Sequence, residues 1–394
     1  MKITGLRTYK FSVPTGQQIR DPATGQLLCS TSKPWLFLRV ETDGGIIGWG
    51  EGTGEWLTES VEATLHAWSE LLVGRDPLQV AAICDDIQDR LPWKGGPIFG
   101  TAISAINQAL YDIAGRAWGV PVHTILGGAR RDRVRVYGHT SLDTPEAAVE
   151  GALAVRDAGF AGVKANPLET RVWSRDHQAV TQSTECVAAL RAALGEDFDI
   201  LLDAHGSPTP ELSLEFAQAI AEFRPLFLEE PVKVGSVEAL VEVSGKSPVP
   251  IATGEKLFHL RDFLPLIEAR ACAYLQPDVC HAFGISGLVD IGRAASHAQM
   301  QMAPHNAGGP LSLAATLTAN AVTPNFLIQE LVEDWFRRFG EYVEHDWRIE
   351  EGYINVSDAP GLGVTVKEQQ LESLPYEPMP YRQYRHEDGS WKGW

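Results

Sequence analysis

From about residue 130 the chain alternates short apolar segments with longer Ala-rich amphipathic ones, and this alternation limits the fold more than any other feature. The short segments are RVRVYGH, AGVKANP, DILLDAHG, PLFLEEP, VPIATGE, AYLQPD, MQMAPH and NFLIQE. Between them lie helix patterns such as TPEAAVEGALAVRDAG, SLEFAQAIAEF and GLVDIGRAASHAQ. Eight strand candidates with seven helices between them predict an α/β chain with a parallel barrel, a (β/α)7β variant of the TIM barrel, over residues 126–350. Each short segment ends in a polar or charged residue, on the side where such barrels build their sites.

Residues 1–125 read differently. Strand-like alternation (ITGLRTYKFSV, then PWLFLRVETDGGIIGWGE with DGG as a hairpin turn) gives way to helical periodicity from about 58 to 118. That order predicts an α+β domain capping the barrel. Residues 17–33 are polar and turn-rich and form a candidate mobile loop. Residues 351–394 are rich in Pro and Tyr and are expected to pack back on the first domain. The 394 residues carry 51 Asp plus Glu against 33 Lys plus Arg, a formal charge of −18, which argues against nucleic-acid and anionic-membrane partners. The N-terminus lacks the apolar core of a signal peptide, so a cytoplasmic location is expected. Cysteines 29, 84, 186, 272 and 280 have no CxxC spacing and predict neither a disulfide framework nor a zinc site.

Three strand-end acids, Asp203 in LLDAHG, Glu229 in FLEEP and Glu255 in ATGEK, fall at equal intervals of 26 residues, about one β/α unit. They come from three successive strands and converge on one mouth. Converging carboxylates need a cation, and all-oxygen donors with room for water or substrate suit Mg2+ better than zinc. Glu230 is the spare acid, suited to support the ligands from behind. Asp278 ends YLQPD and His305 ends MAPH, 27 residues apart, so the two are neighbours in the barrel. An Asp that holds an imidazole fixes its tautomer and raises its basicity, as a general base requires. His205, two residues past Asp203, faces the mouth by the strand period of two. His281 lies in the loop after the sixth strand, and Lys164 and Glu330 complete the ring.

With these residues in view, the sequence resembles the mandelate-racemase-like branch of the enolase superfamily, and within it the sugar-acid dehydratases of galactonate type. The resemblance rests on AINQALYDIAGRAWGVPVHTILGG, the three acids, the QPD and APH pair, IQE, PGLGV and the ending RHEDGSWKGW, and so spans nearly the whole chain. It implies that Asp203, Glu229 and Glu255 hold magnesium, that Asp278 and His305 form a dyad, and that Glu330 steadies an enediolate near the substrate carboxylate. Racemising members carry a lysine base in a KxK motif after the second strand. This chain has Lys164, Ala165, Asn166 there, which with DxH at Asp203–His205 matches the dehydratase pattern. In that pattern His305 takes the proton alpha to the carboxylate, His205 gives one to the departing hydroxyl, and Lys164, Asn166 and His281 contact substrate. The resemblance further implies that loops 17–33 and around Gly50–Gly52 close over a small sugar acid, and that the chain self-assembles symmetrically.

The segment between Asn166 and Asp203 departs from the pattern. Mannonate dehydratases share a similar tail and use a tyrosine there; this loop offers Arg171, Trp173, Arg175 and His177 but no tyrosine. The rivals to dehydration are an epimerase or lactone cycloisomerase on the same scaffold, and a silent member that binds metal and sugar acid.

Overall fold

The computed structural model of the chain describes residues 1–13, 18–20, 24–30, 32–168, 176–385 and 388–391. Eight short strands form a barrel: Arg133–Thr140, Gly162–Ala165, Asp199–Asp203, Phe227–Glu229, Ile251–Thr253, Tyr274–Leu275, Gln301–Met302 and Gln329–Glu330. The first seven pair in parallel in chain order. The eighth closes the ring on the first through Gln329 and Val136, and Glu330 and Tyr137. Met302 bridges Phe326 at the joint between the seventh and eighth strands. Seven helices, from Pro145–Asp157 to Pro310–Val322, return the chain between strands, so the (β/α)7β plan expected from the sequence is the plan observed. Side chains of Thr144, Asp176, Thr209 and Ser236 accept backbone N–H bonds at four of the helix starts, satisfying donors that a helix leaves open.

The strand period fixes what fills the barrel. Tyr137, Leu201, Phe227, Ala252, Ala303 and Ile328 form a packed layer inside it, while Leu202 and Leu228 point outward into the core beneath the helices. Fully burying a residue such as Leu201 or Phe227 contributes about 2 kcal/mol each. Asp203 follows Leu201 by two positions and Glu229 follows Phe227 by two. Both acids therefore stand on the inner face, one step above an apolar plug that keeps water out from below.

In the first part of the chain, Ile3–Ser12, Pro34–Thr42 and Ile47–Glu51 form an antiparallel sheet. The helix Gly96–Trp118 lies against it so closely that a Cβ on Gly48 or Gly50 would stand 2.2 or 2.1 Å from the carbonyl oxygens of Ala109 and Ala105. The same helix reaches the barrel: Ser104 Oγ accepts from Gly284 N at 2.9 Å and Asn107 Nδ2 donates to Ser286 Oγ at 3.0 Å. Gly48 and Gly50 thus serve a strand-to-helix approach, and the turn that follows Gly52 meets the cavity at residues 54–57.

Of loop 17–33, Gln18–Arg20 and Leu27–Ser30 pair as a hairpin; residues 17, 21–23 and 31 lie outside the described residues, as do Arg171, Trp173, Arg175 and Trp394. Tyr353–Asn355 pairs antiparallel with Arg133–Arg135 and with Ile349–Glu350. The expected boundary after residue 350 therefore falls inside a hairpin that extends the barrel sheet. Further on, the tail does meet the first part of the chain: Ser12 N donates to Pro375 O at 2.9 Å, Trp56 Nε1 to Pro380 O at 3.0 Å, and Gln383 N to Leu28 O at 2.8 Å. No helix among the described residues is long and apolar enough to cross a membrane.

Candidate active site

Asp203 and Glu229 are paired residues on adjacent strands, so their side chains rise side by side. Glu255 arrives by another route. Its strand stops at Thr253, and Gly254, at φ +141°, passes so close to Phe263 and the Gln276 backbone that a Cβ would stand 2.8 and 3.0 Å from them. That turn swings Glu255 into the mouth. One oxygen from each of the three carboxylates lies within 4.8 Å of the others. Glu229 Oε2 and Glu255 Oε2 are buried and accept no hydrogen bond, and Asp203 Oδ2, equally buried, has only the ion-pair contacts of Lys164 and His205. Crowding three carboxylates into so small a buried space is costly, and an all-carboxylate donor set fits a hard divalent cation.

Lys164 lies beside the triad, with Nζ 3.2 Å from Asp203 Oδ2, 3.1 Å from Glu229 Oε1 and 2.7 Å from Glu330 Oε1. Burial works against its charge, but Glu229 and Glu330 override it and hold the ammonium well above its ordinary range. Glu330 is equally committed: His139 Nε2 stands 2.8 Å from Oε1 and Asn306 N donates to Oε2 at 2.9 Å. Burial would raise its pKa, yet Lys164 and His305 hold it well below the usual carboxylate range. Burial and the Asp203 charge push Glu229 up, against Lys164. Glu255 goes the other way, lowered against burial by His305, Lys256 and His205.

His305 Nδ1 donates to Asp278 Oδ2 at 2.6 Å, and Cys280 N donates to Asp278 Oδ1 at 2.6 Å. This leaves His305 Nε2 toward the cavity, 3.7 Å from both Glu255 Oε2 and Glu330 Oε2. Burial alone would lower its pKa, but Glu330, Glu255 and Asp278 raise it to about 10 in the metal-free protein. His205 Nε2 lies 3.1 Å from Asp203 Oδ2. It reaches the mouth, but not by the strand period: the strand ends at Asp203, and His205 adopts a left-handed backbone, φ +50°, with its own N–H bonded to Asp203 Oδ1 at 2.9 Å. Lys256 holds this turn, donating to His205 O at 3.3 Å and to Glu230.

These groups line a cavity of about 570 Å³, ample for a six-carbon acid. Its floor includes Lys164, Asn166, His205, Glu255, His281, His305 and Glu330. Asp203, Glu229 and Asp278 lie just under it, at most 2% exposed. All ten residues expected at the site are thus gathered in one place, with His281 Nδ1 2.7 Å from Thr101 Oγ1. Sequence reasoning missed His139, although it ends RVRVYGH as the other acids and bases end their strands. Lys33, the last residue of the loop expected over the substrate, does line the far wall; sequence reasoning missed the rest of it, Glu55 and Trp56 from the first part of the chain, Trp335, and Met379, Arg382 and Tyr384 from the tail. Glu230 stands outside the cluster of three carboxylates and pairs with Lys256. Burial and Glu255 raise it to about 8 against Lys256.

Comparison with known proteins agrees with this geometry. Residues 10–127 match the mandelate racemase / muconate lactonizing enzyme N-terminal domain, and residues 147–370 match the enolase C-terminal domain-like family. The D-galactonate dehydratase of Ralstonia pickettii (strain 12J) is 36% identical over 402 residues, with 100% of each chain covered. That of Cronobacter sakazakii (strain ATCC BAA-894) is 33% identical over 402 residues, again with full coverage of both. A crystal structure of an enolase from Agrobacterium radiobacter, named there as a candidate galactarate dehydratase and holding Na and L-malate in an ordered active site, superposes with a TM-score of 0.87. It is 27% identical and covers 99% of each chain. With both domain matches and full-length relatives in hand, the chain belongs to the mandelate racemase / muconate lactonizing enzyme family of the enolase superfamily.

Proposed function

We propose that this chain is a magnesium-dependent hydro-lyase that dehydrates an aldonate, with D-galactonate as the favoured substrate, to a 2-keto-3-deoxy sugar acid. The observation that carries the reading is the convergence, at the floor of one cavity, of three carboxylate oxygens within 4.8 Å of one another with two imidazoles beside them. Asp203, Glu229 and Glu255 would hold the magnesium ion. When bound, such an ion offsets the negative charge that grows on a substrate carboxylate as the adjacent carbon is deprotonated.

The rest falls to the chain's own groups. Asp278 keeps the proton on His305 Nδ1, which leaves Nε2 as the atom that accepts the C2 proton. The C2–H electrons pass into the carboxylate as an enediolate, then return to form the C2–C3 double bond as the C3–O bond breaks, and His205 delivers a proton to the departing hydroxyl so that it leaves as water. The enol then tautomerises to the 2-keto acid. Glu330 takes a different part in this reading: an ionised carboxylate only accepts hydrogen bonds, so the donor able to steady an enediolate oxygen is Lys164, and Glu330 orients it while accepting from His139 Nε2. Asn166, exposed at the end of the second strand, and His281 are placed to bind hydroxyls.

The test is an assay of purified protein with magnesium against a panel of aldonates and aldarates, detecting 2-keto-3-deoxy acids with semicarbazide. D-galactonate should give keto acid, and His305→Asn should abolish turnover with magnesium affinity retained. Deuterium entering C2 from heavy water without any keto acid would replace this reading by the epimerase one.

A further inference from the structure

Away from the carboxylates, the cavity wall contains an ion pair drawn from the first part of the chain. Lys33 Nζ contacts the Glu55 carboxylate, and their side chains are 14% and 21% exposed. Lys33 comes from the stretch leading into Pro34–Thr42, and Glu55 from the turn after Ile47–Glu51. Lys33 Nζ also stands 5.1 Å from the centre of the Trp335 ring, in the loop after the last barrel strand. Glu55 is held in a left-handed backbone, φ +50°, a conformation a residue with a Cβ adopts only when its surroundings impose it. Thr58 Oγ1 donates to Glu55 O at 2.7 Å and helps impose it.

A charge pair placed in a cavity wall keeps spare bonding capacity on the cavity side. The ammonium has three donors and the carboxylate two acceptor oxygens, and only one contact joins them. A hydroxyl both donates and accepts, so one hydroxyl can give its proton to Glu55 while accepting from Lys33. A carboxylate can only accept. It would meet Glu55 as a like charge, with Lys33 already neutralised. Glu55 is also within the field of His281 and His305: burial opposes its charge, but Lys33 first, then these two rings, hold its carboxyl below the usual range. The pair and the two rings line the same cavity.

We propose that the Lys33–Glu55 pair reads the hydroxyl-bearing end of the substrate remote from its metal-bound carboxylate, so that the site takes monocarboxylate aldonates in preference to dicarboxylate aldarates. This rests on the dehydratase reading and adds the feature that sets substrate class. Arg382, in the same wall, is the cation that would serve a second carboxylate, and it supplies the counter-test.

The experiment compares kcat/KM for D-galactonate and galactarate in the wild type, Glu55→Gln and Arg382→Met, all at saturating magnesium. The wild type should prefer galactonate by about a hundredfold, and Glu55→Gln should narrow that ratio about tenfold or more. Magnesium affinity and melting temperature confirm that the variant is folded. A ratio unmoved by Glu55→Gln, or a wild type that prefers galactarate through Arg382, overturns the proposal. If the wild type dehydrates neither acid, the dehydratase reading fails separately, and calorimetric binding of the two acids to magnesium-loaded protein makes the same comparison. Tighter galactonate binding that Glu55→Gln weakens supports the proposal; equal affinities, or tighter galactarate, overturn it.

Discussion

Lys164 shows how a single residue can serve two states of the same site. Its ammonium is 4% exposed and touches three carboxylates, so in the metal-free protein it supplies much of the charge that Asp203 and Glu229 need. Removing one partner of a buried ion pair typically costs about 3–5 kcal/mol, because the other charge is left stranded. Lys164→Met should therefore melt well below the wild type in chelator. Saturating magnesium, by compensating two of the three acids, should restore most of the difference. Thermal unfolding of both proteins with and without metal checks this. An equal loss in both conditions would show that Lys164 stabilises through packing or Glu330 alone.

At the scale of elements, the first part of the chain is tied to the catalytic barrel by a cap. The helix Pro310–Val322, which follows the His305 loop, has no side-chain cap of its own. Glu51, from the edge strand of the other sheet, accepts from Gly309 N at 2.6 Å and Ser312 N at 2.9 Å, and from Thr53 Oγ1 at 2.6 Å. Burial raises its pKa from the ordinary 4.5 to about 7 despite those bonds. A carboxyl whose pKa is raised on folding gives its full stabilisation below pH 4.5 and loses it as pH rises through 7. The loss amounts to about 3 kcal/mol across that window. Glu51→Gln should flatten this slope. It should also cost about 1–3 kcal/mol at low pH, where its amide N–H would face a backbone donor. Melting curves of both proteins from pH 4.5 to 8 give the comparison, and parallel slopes would count against Glu51.

The same scale shows what the sequence could reveal. Barrel strands were legible because each is an apolar run closed by a polar residue, and the period of two carries Asp203 and Glu229 inward without further information. Glu255 was found by spacing, although Gly254 turns it in after its strand has ended. His205 was found for a reason the fold does not use, since a left-handed turn places it rather than strand alternation. Glu55 and Lys33 left no periodic signal. They meet the site through the docking of one part of the chain on another, and no local pattern encodes that contact.

For the whole molecule, the division of labour is that the barrel supplies the three carboxylates and the two imidazoles of the proposed reaction, while the cavity wall draws on three distant stretches of chain. Lys33 and residues 54–57 come from the first sheet, Trp335 from the last barrel loop, and Met379, Arg382 and Tyr384 from the tail. The tail is pinned where Trp56 Nε1 donates to Pro380 O at 3.0 Å and Gln383 N to Leu28 O at 2.8 Å. A site completed in this way should separate metal binding from turnover. Ending the chain after Glu377 keeps the bond between Ser12 Oγ and Glu377 O at 2.9 Å but removes the tail's share of the wall. Magnesium affinity, set in the barrel, should stay within about twofold. Meanwhile kcat/KM should fall by about a hundredfold, as substrate loses the contacts that hold it over His305 and water gains entry. Calorimetry with magnesium and the keto-acid assay on the shortened chain measure the two separately. Full turnover in that chain would show that the tail lies against the cavity without shaping it.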